Sequence, residues 1–176
     1  MQRIAATLLV LLVLLAGCGP TVVNVSPSAG VATPQIDAAA WAAAMCQAVD
    51  QFSLGMADPA EARQSRAWIA FEAALSTGDP DEIEASANAV LGHLTEGSRS
   101  ARRASAFPVG AAAAGAWAAL LDESAAAVRV LRDGGRDVER INEARASIQR
   151  VLTELPAAVQ LMRAVPVPAG ALPCAD

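Results

Sequence analysis

The stretch DPDEIEASANAVLGHLTEGSRSARR, residues 79–103, carries the start, the stripe and the finish of one helix. Asp79 stands where an N-cap belongs. Pro80 suits the first helical position, where its fixed φ and missing N–H cost nothing. Asp81 and Glu82 put negative charge on the first turn, and Arg99, Arg102 and Arg103 put positive charge near the end; both placements complement the helix dipole. Ile83, Ala87, Val90, Leu91 and Leu94 recur at the spacing of a single helical face. The run predicts an amphipathic helix that must bury that face against other helices.

The neighbouring segments repeat the pattern. Upstream, Asp58-Pro59 offers the same start signal with Glu61 at N3, predicting a second helix to about Thr77 with Trp68, Phe71 and Leu75 inward and Gly78 as its stop. Before it, Asp37 caps a first helix whose face holds Trp41, Met45, Ala48, Val49 and Phe52, with Met56 as an extension and Cys46 beside the stripe. Downstream, Pro108 separates a fourth helix with Trp117, Leu120, Leu121, Val128 and Leu131 on one face, stopped by Gly134-Gly135. The fifth helix presents Val138, Ile141, Ile148, Leu152 and Leu155, with Ala144 facing the same way. Pro156 should break or kink it, leaving Ala157 to Ala164 as one more short piece. The tail, with Pro166, Pro168 and Pro173, should be extended.

No segment alternates apolar and polar residues over a sustained run, so the expected class is all-α: an antiparallel, up-and-down bundle of about five amphipathic helices over residues 36–164, followed by the tail 165–176. Alanine fills about a quarter of the chain and favours close helix packing. The two Asp-Pro starts are capping chemistry and not an internal repeat.

The N-terminus reads differently. Arg3 precedes an apolar run, Ile4 to Ala16, of about thirteen residues. A spanning helix needs roughly twenty, whereas a signal-peptide core fits this length and these flanks. Small residues would also end an ordinary secretory signal. Leu15-Ala16-Gly17-Cys18, however, resembles the lipobox of bacterial lipoproteins. The resemblance covers roughly the first twenty residues and implies removal of residues 1–17 and lipidation of Cys18. Such proteins carry a diacylglycerol on this cysteine, often with a third acyl chain on its amine. Each buried methylene contributes roughly 0.8 kcal/mol, and two chains hold where a single myristoyl chain binds only marginally. The implied address is the extracytoplasmic face of a cell membrane. Gly19 replaces the aspartate that retains many Gram-negative lipoproteins at the inner membrane, and no twin-arginine pair is present. Residues 18–35 read as the lipidated cysteine and a linker punctuated by Pro20, Pro27 and Pro34; as a flexible coil it would span on the order of 20 Å. The alanine-rich, lysine-free composition is similar to that of small lipoproteins of actinobacteria, and this likeness carries no activity with it.

The chain has 176 residues, thirteen basic side chains, all Arg, and a formal charge of −5. Such an acidic balance argues against nucleic acid as a partner, which demands a clustered positive surface. It also argues against electrostatic adhesion to anionic lipid, which leaves anchoring to the acyl chains. With Cys18 consumed by lipid, Cys46 and Cys174 remain, and an exported pair with no other thiol reads as one disulfide. Loop entropy gives about 5 kcal/mol for so long a closure, as an upper figure, and the bond would pin the proline-rich tail. A reactive redox pair is the weaker reading: there is no C-x-x-C spacing, and no Lys or His is close in sequence.

Candidate chemistry is sparse. His93 is the only histidine and falls at the edge of an apolar face; catalysis would require a nucleophile or carboxylate brought to it by the fold. His93-Leu94-Thr95-Glu96 reverses the Glu-x-x-His order of di-iron bundles, and one histidine without free thiols does not make a zinc site. Asp79, Asp81, Glu82 and Glu84 open a helix and lack the alternation and glycine turn of a calcium loop. Arg129, Arg132, Arg136 and Arg140 could form an anion stripe, but Gly134-Gly135 interrupts it and Asp133, Asp137 and Glu139 neutralise it. Gly110 to Gly115 lacks the lysine of a phosphate-binding loop. Trp41, Trp68 and Trp117 read as core fillers, with the lining of a ligand cleft as the alternative. The expectation is therefore a lipid-anchored, non-enzymatic interaction or accessory module of the cell envelope, with no catalytic, cofactor-binding or metal-binding residue, Cys18 lipidated, an envelope protein as partner and no nucleic acid. The alternative is a carrier or sensor for an apolar ligand or lipid, held in a cleft of the bundle.

Overall fold

Residues 35–59, 63–135 and 137–175 are described here from a computed structural model. The leader, Cys18, the linker up to residue 34, Glu61 and Arg136 lie outside them. Five helices make up most of the described chain: α1 (Ala38–Gly55), α2 (Arg66–Thr77), α3 (Pro80–Ala104), α4 (Ala111–Asp133) and α5 (Val138–Arg163). Among the described residues the fold is all-α apart from one small antiparallel ladder, β1 (Ala57–Asp58) with β2 (Arg63–Gln64), in which Ala57 faces Gln64 and Asp58 faces Arg63.

Two helix starts lie where the sequence puts them. The Asp37 carboxylate accepts from Ala40 N at 2.7 Å, and that of Asp79 accepts from Asp81 N at 2.9 Å and Glu82 N at 3.2 Å. The second start does not. Asp58 belongs to β1, and Ser65 caps α2 by accepting from Trp68 N at 2.9 Å. Ser65 N donates to Met56 O at 2.8 Å, so ladder bonding claims the backbone that a helix from Pro59 would need. Gly78, at φ 74°, ends α2 in the left-handed conformation that suits glycine.

The interior holds Trp41, Met45, Ala48, Val49 and Phe52 from α1, Trp68 and Phe71 from α2, and Ala87, Val90 and Leu94 from α3. Trp117, Leu120, Leu121, Val128 and Leu131 come from α4. Helix α5 departs from expectation. It runs through Pro156 without a break, and its buried stripe is Ala144, Ile148, Val151, Leu155, Ala158 and Met162. Leu152 is 37% exposed and Val138 67% exposed, so neither is core. One residue along a helix is about 100° round it, which moves Leu152 off the face that Val151 occupies. Pro156 withdraws the N–H that would bond the Leu152 carbonyl; on this solvent side that carbonyl can turn to water. The tail is not simply extended either: Val165 is buried, Ala171 N bonds Pro168 O at 3.0 Å around Gly170 (φ 76°), and Pro173–Ala175 form a 3-10 turn.

Helices α1 and α2 lie end to end along α3. Arg103 NH2 reaches Gln47 Oε1 at 3.1 Å, and a Cβ added at Gly55 would stand 3.1 Å from His93 Cβ, so α1 runs antiparallel to the C-terminal half of α3. Thr77 Oγ1 meets Glu82 Oε2 at 3.3 Å across the Gly78 turn, which sets α2 against the N-terminal half. The ladder sits at the joint. Ser98 Oγ donates to Asp122 Oδ1 at 2.6 Å and fixes α3 on α4; Arg150 Nε donates to Glu123 Oε1 at 2.8 Å and fixes α5 on α4. At the α1–α3–α4 crossing Gly97 has no room for a side chain: a Cβ would meet Leu121 Cδ2 at 3.0 Å, Gln51 Cβ at 3.1 Å and Ala48 O at 3.3 Å. The result is close to a four-helix bundle whose first member is broken in two.

Candidate functional site

The broken first member and α5 flank one another, and they touch little directly. Along α1 the tail fills the seam between them, resting on both α1 and α5. Along α2 and the ladder the seam stays open as a groove. One hollow of about 820 Å³ is lined by Leu75, Ile83, Glu84, Leu131, Arg132 and Arg145, among others. A second, of about 590 Å³, shares Leu75, Leu131 and Arg145 with it and adds Trp68, Glu72 and Gln149. A third, of about 910 Å³, continues along α5 past Leu152, Leu155, Pro156, Val159 and Arg163, facing Ala57, Asp58 and Gln64. Each hollow lies within the range usual for binding sites.

The wall that α5 contributes is a second stripe. Ile141, Arg145, Gln149, Leu152, Pro156, Gln160 and Arg163 line the groove, roughly one residue on from the buried stripe. That spacing was readable in the sequence, but Arg, Gln and Pro among the apolar residues hid it from a search for hydrophobic periodicity alone. The opposite wall follows from the length of α2: at 12 residues it is too short to cover the 26-residue α5.

Charge lines the end of the groove. Arg132 Nε donates to Asp133 Oδ1 at 2.7 Å, and its NH1 reaches Asn88 Oδ1 at 3.3 Å. The hydrogen bond from Arg132 holds the Asp133 carboxyl below its ordinary range against a weaker opposing effect of desolvation, and the same bond raises Arg132. Arg132 thus belongs to a local pair with Asp133, and Arg136 of the arginine run lies outside the described residues. The acidic run at Asp79 caps α3.

His93 is half-buried, and its Nδ1 donates to Gln51 Oε1 at 2.9 Å. It borders a separate shallow hollow with Ser53, Asp58 and Ser65, but its hydrogen bond is to the amide and to none of these. Among the described residues no group of three or more His, Cys, Asp or Glu could hold a metal ion. The three tryptophans are packed: Trp41 lies 6.0 Å from Phe107, Trp117 stands edge-on to Phe52 at 6.0 Å, and Trp68 edge-on to Phe71 at 5.7 Å. Only Trp68 also borders the groove. The Nε1 atoms of Trp41 and Trp117 are buried with no acceptor among the described residues.

Cys46 and Cys174 are joined by a disulfide, with their Cα atoms 5.3 Å apart. Among the described residues no helix is long and apolar enough to cross a membrane. Comparison with protein-family models, curated proteins and solved structures finds no match.

Proposed function

We propose that this chain is a lipid-anchored protein of the cell envelope, held through Cys18 on the extracytoplasmic face, and that it acts without catalysis by receiving a segment of a partner protein in the groove between α2 and α5. The groove itself carries the interaction reading. Its walls place Glu72, Glu84, Arg132, Asp133 and Arg145 beside Leu75, Ile83 and Leu131. A lining of both charge signs among aliphatic side chains suits a peptide, which has polar and apolar groups at short intervals, better than an acyl chain. The disulfide supports the exported reading, because such bonds persist in oxidising compartments and this one uses the two cysteines other than Cys18.

Two experiments test the two halves. In the native host, intact-mass analysis of the membrane fraction should find Cys18 as an acylated N-terminus, and Cys18→Ala should move the protein out of that fraction. A Cys18→Ala variant that stays membrane-bound rejects the anchor. A photo-crosslinking residue at Gln149 should give a discrete protein adduct that Arg145→Glu abolishes, while the same probe at Ala43, on the exposed face of α1, gives none. Equal labelling from both positions rejects the groove. The second reading, a carrier for an apolar ligand, draws on Trp68, Leu155 and Val159 in the same walls; saturable binding of a fatty acid, with methyl NMR shifts at Leu155 and Val159, would favour it over a peptide.

A further inference from the structure

We infer that the tail, residues 165–175, is a redox-releasable strap, and that the Cys46–Cys174 bond decides whether the groove stops at the ladder or runs the whole length of the seam. The attachment of the tail carries this. Its three prolines have no N–H to give. Its backbone hydrogen bonds stay local, from Val165 N to Met162 O at 3.2 Å and from Ala171 N to Pro168 O at 3.0 Å. Among the described residues no hydrogen bond ties it to α1. What holds it there is one covalent bond, the buried Val165 where it leaves α5, and beyond that only the half-buried side chains of Val167, Ala171, Leu172 and Cys174. Pro166, Pro168, Ala169, Gly170 and Pro173 face solvent.

The helices do not depend on the strap in the same way. The core faces of α1, α3, α4 and α5 are buried against one another, and α3 is bonded to α4, and α4 to α5, by the side-chain pairs already described. Cutting the bond therefore frees the strap first. Both cysteines are half-buried, and neither belongs to the sealed core. A dithiol reductant supplies the chemistry. One of its thiolates attacks Cys174 Sγ, Cys46 leaves as a thiolate and takes up a proton, and the second reductant thiol resolves the mixed disulfide. Two thiols form on the protein and one disulfide on the reductant. Few apolar contacts and, among the described residues, no backbone hydrogen bond to α1 place the freed tail at the low-stability end of the molecule. Its departure uncovers the flanks of α1 and α5 and joins that surface to the groove beside α2. The inference does not depend on what the groove receives.

The test compares the full chain oxidised with the full chain reduced by dithiothreitol and alkylated. The methyl resonances of Val167 and Leu172 should move to random-coil positions, and elastase should cut the tail about tenfold faster or more, while circular dichroism shows unchanged helix content. Cys174→Ser, which adds no bulk, should reproduce the result without reagent. Methyl resonances that stay at their folded positions after reduction overturn the proposal. So does loss of helix content together with the tail, or a disulfide that dithiothreitol reduces only in denaturant.

Discussion

Gly110 is the position least able to accept a side chain. A Cβ there would stand 2.3 Å from Trp41 Nε1 and 2.4 Å from Cε2, against a rigid and fully buried indole. Gly110→Ala should destabilise the fold by about 1–3 kcal/mol through overpacking, read from urea denaturation. Gly115→Ala, at an exposed site inside α4 with nothing within 4 Å of the new Cβ, should stabilise by about 0.5–1 kcal/mol. Asp133 gives a pH signature. Its folded carboxyl titrates below the unfolded value, chiefly because of the Arg132 hydrogen bond. The pair therefore stabilises the fold fully above the ordinary aspartate range near 4, and that contribution is lost as pH falls through the folded value. A carboxyl-carbon NMR titration should place the Asp133 midpoint below that range, and Arg132→Gln should bring it back up.

Helix boundaries divide into those that capping chemistry decides and those that tertiary pairing overrides. Asp37 and Asp79 were legible because each side-chain acceptor lies three residues or fewer before the N–H it satisfies. Asp58-Pro59 carried the same signal and was captured by the ladder, an outcome fixed by pairing across a turn. Ser65→Ala should consequently cost about 1 kcal/mol in urea denaturation. A negligible cost at Ser65 would contradict the observed start of α2. The inner face of α5 was half legible. Ala144, Ile148 and Leu155 follow from spacing, whereas Val151, Ala158 and Met162 were displaced by larger or better-placed neighbours and by the expectation that Pro156 ends the helix. The groove was not legible, because it depends on the difference in length between α2 and α5 and on which flank of the bundle α2 occupies.

The five-helix class and the partnership of Cys46 with Cys174 were both readable, the first from repeated apolar stripes and the second from the count of thiols. The filling of the seam was not, since a proline-rich tail gives no periodicity that says where it rests. Reducing the disulfide should lower the free energy of global unfolding by about 2–4 kcal/mol, measured by urea titration of the oxidised and reduced proteins. That loss belongs to the unfolded ensemble and is separate from release of the strap in the folded state. The placement of the indoles has a practical consequence. Trp41 and Trp117 are sealed at 0% exposure, whereas Trp68, at 6%, forms part of the groove wall. Acrylamide quenching or an emission shift at neutral pH in the native protein therefore reports on one flank of the molecule, so that any occupant of the cleft can be followed by eye of the spectrometer without attaching a dye.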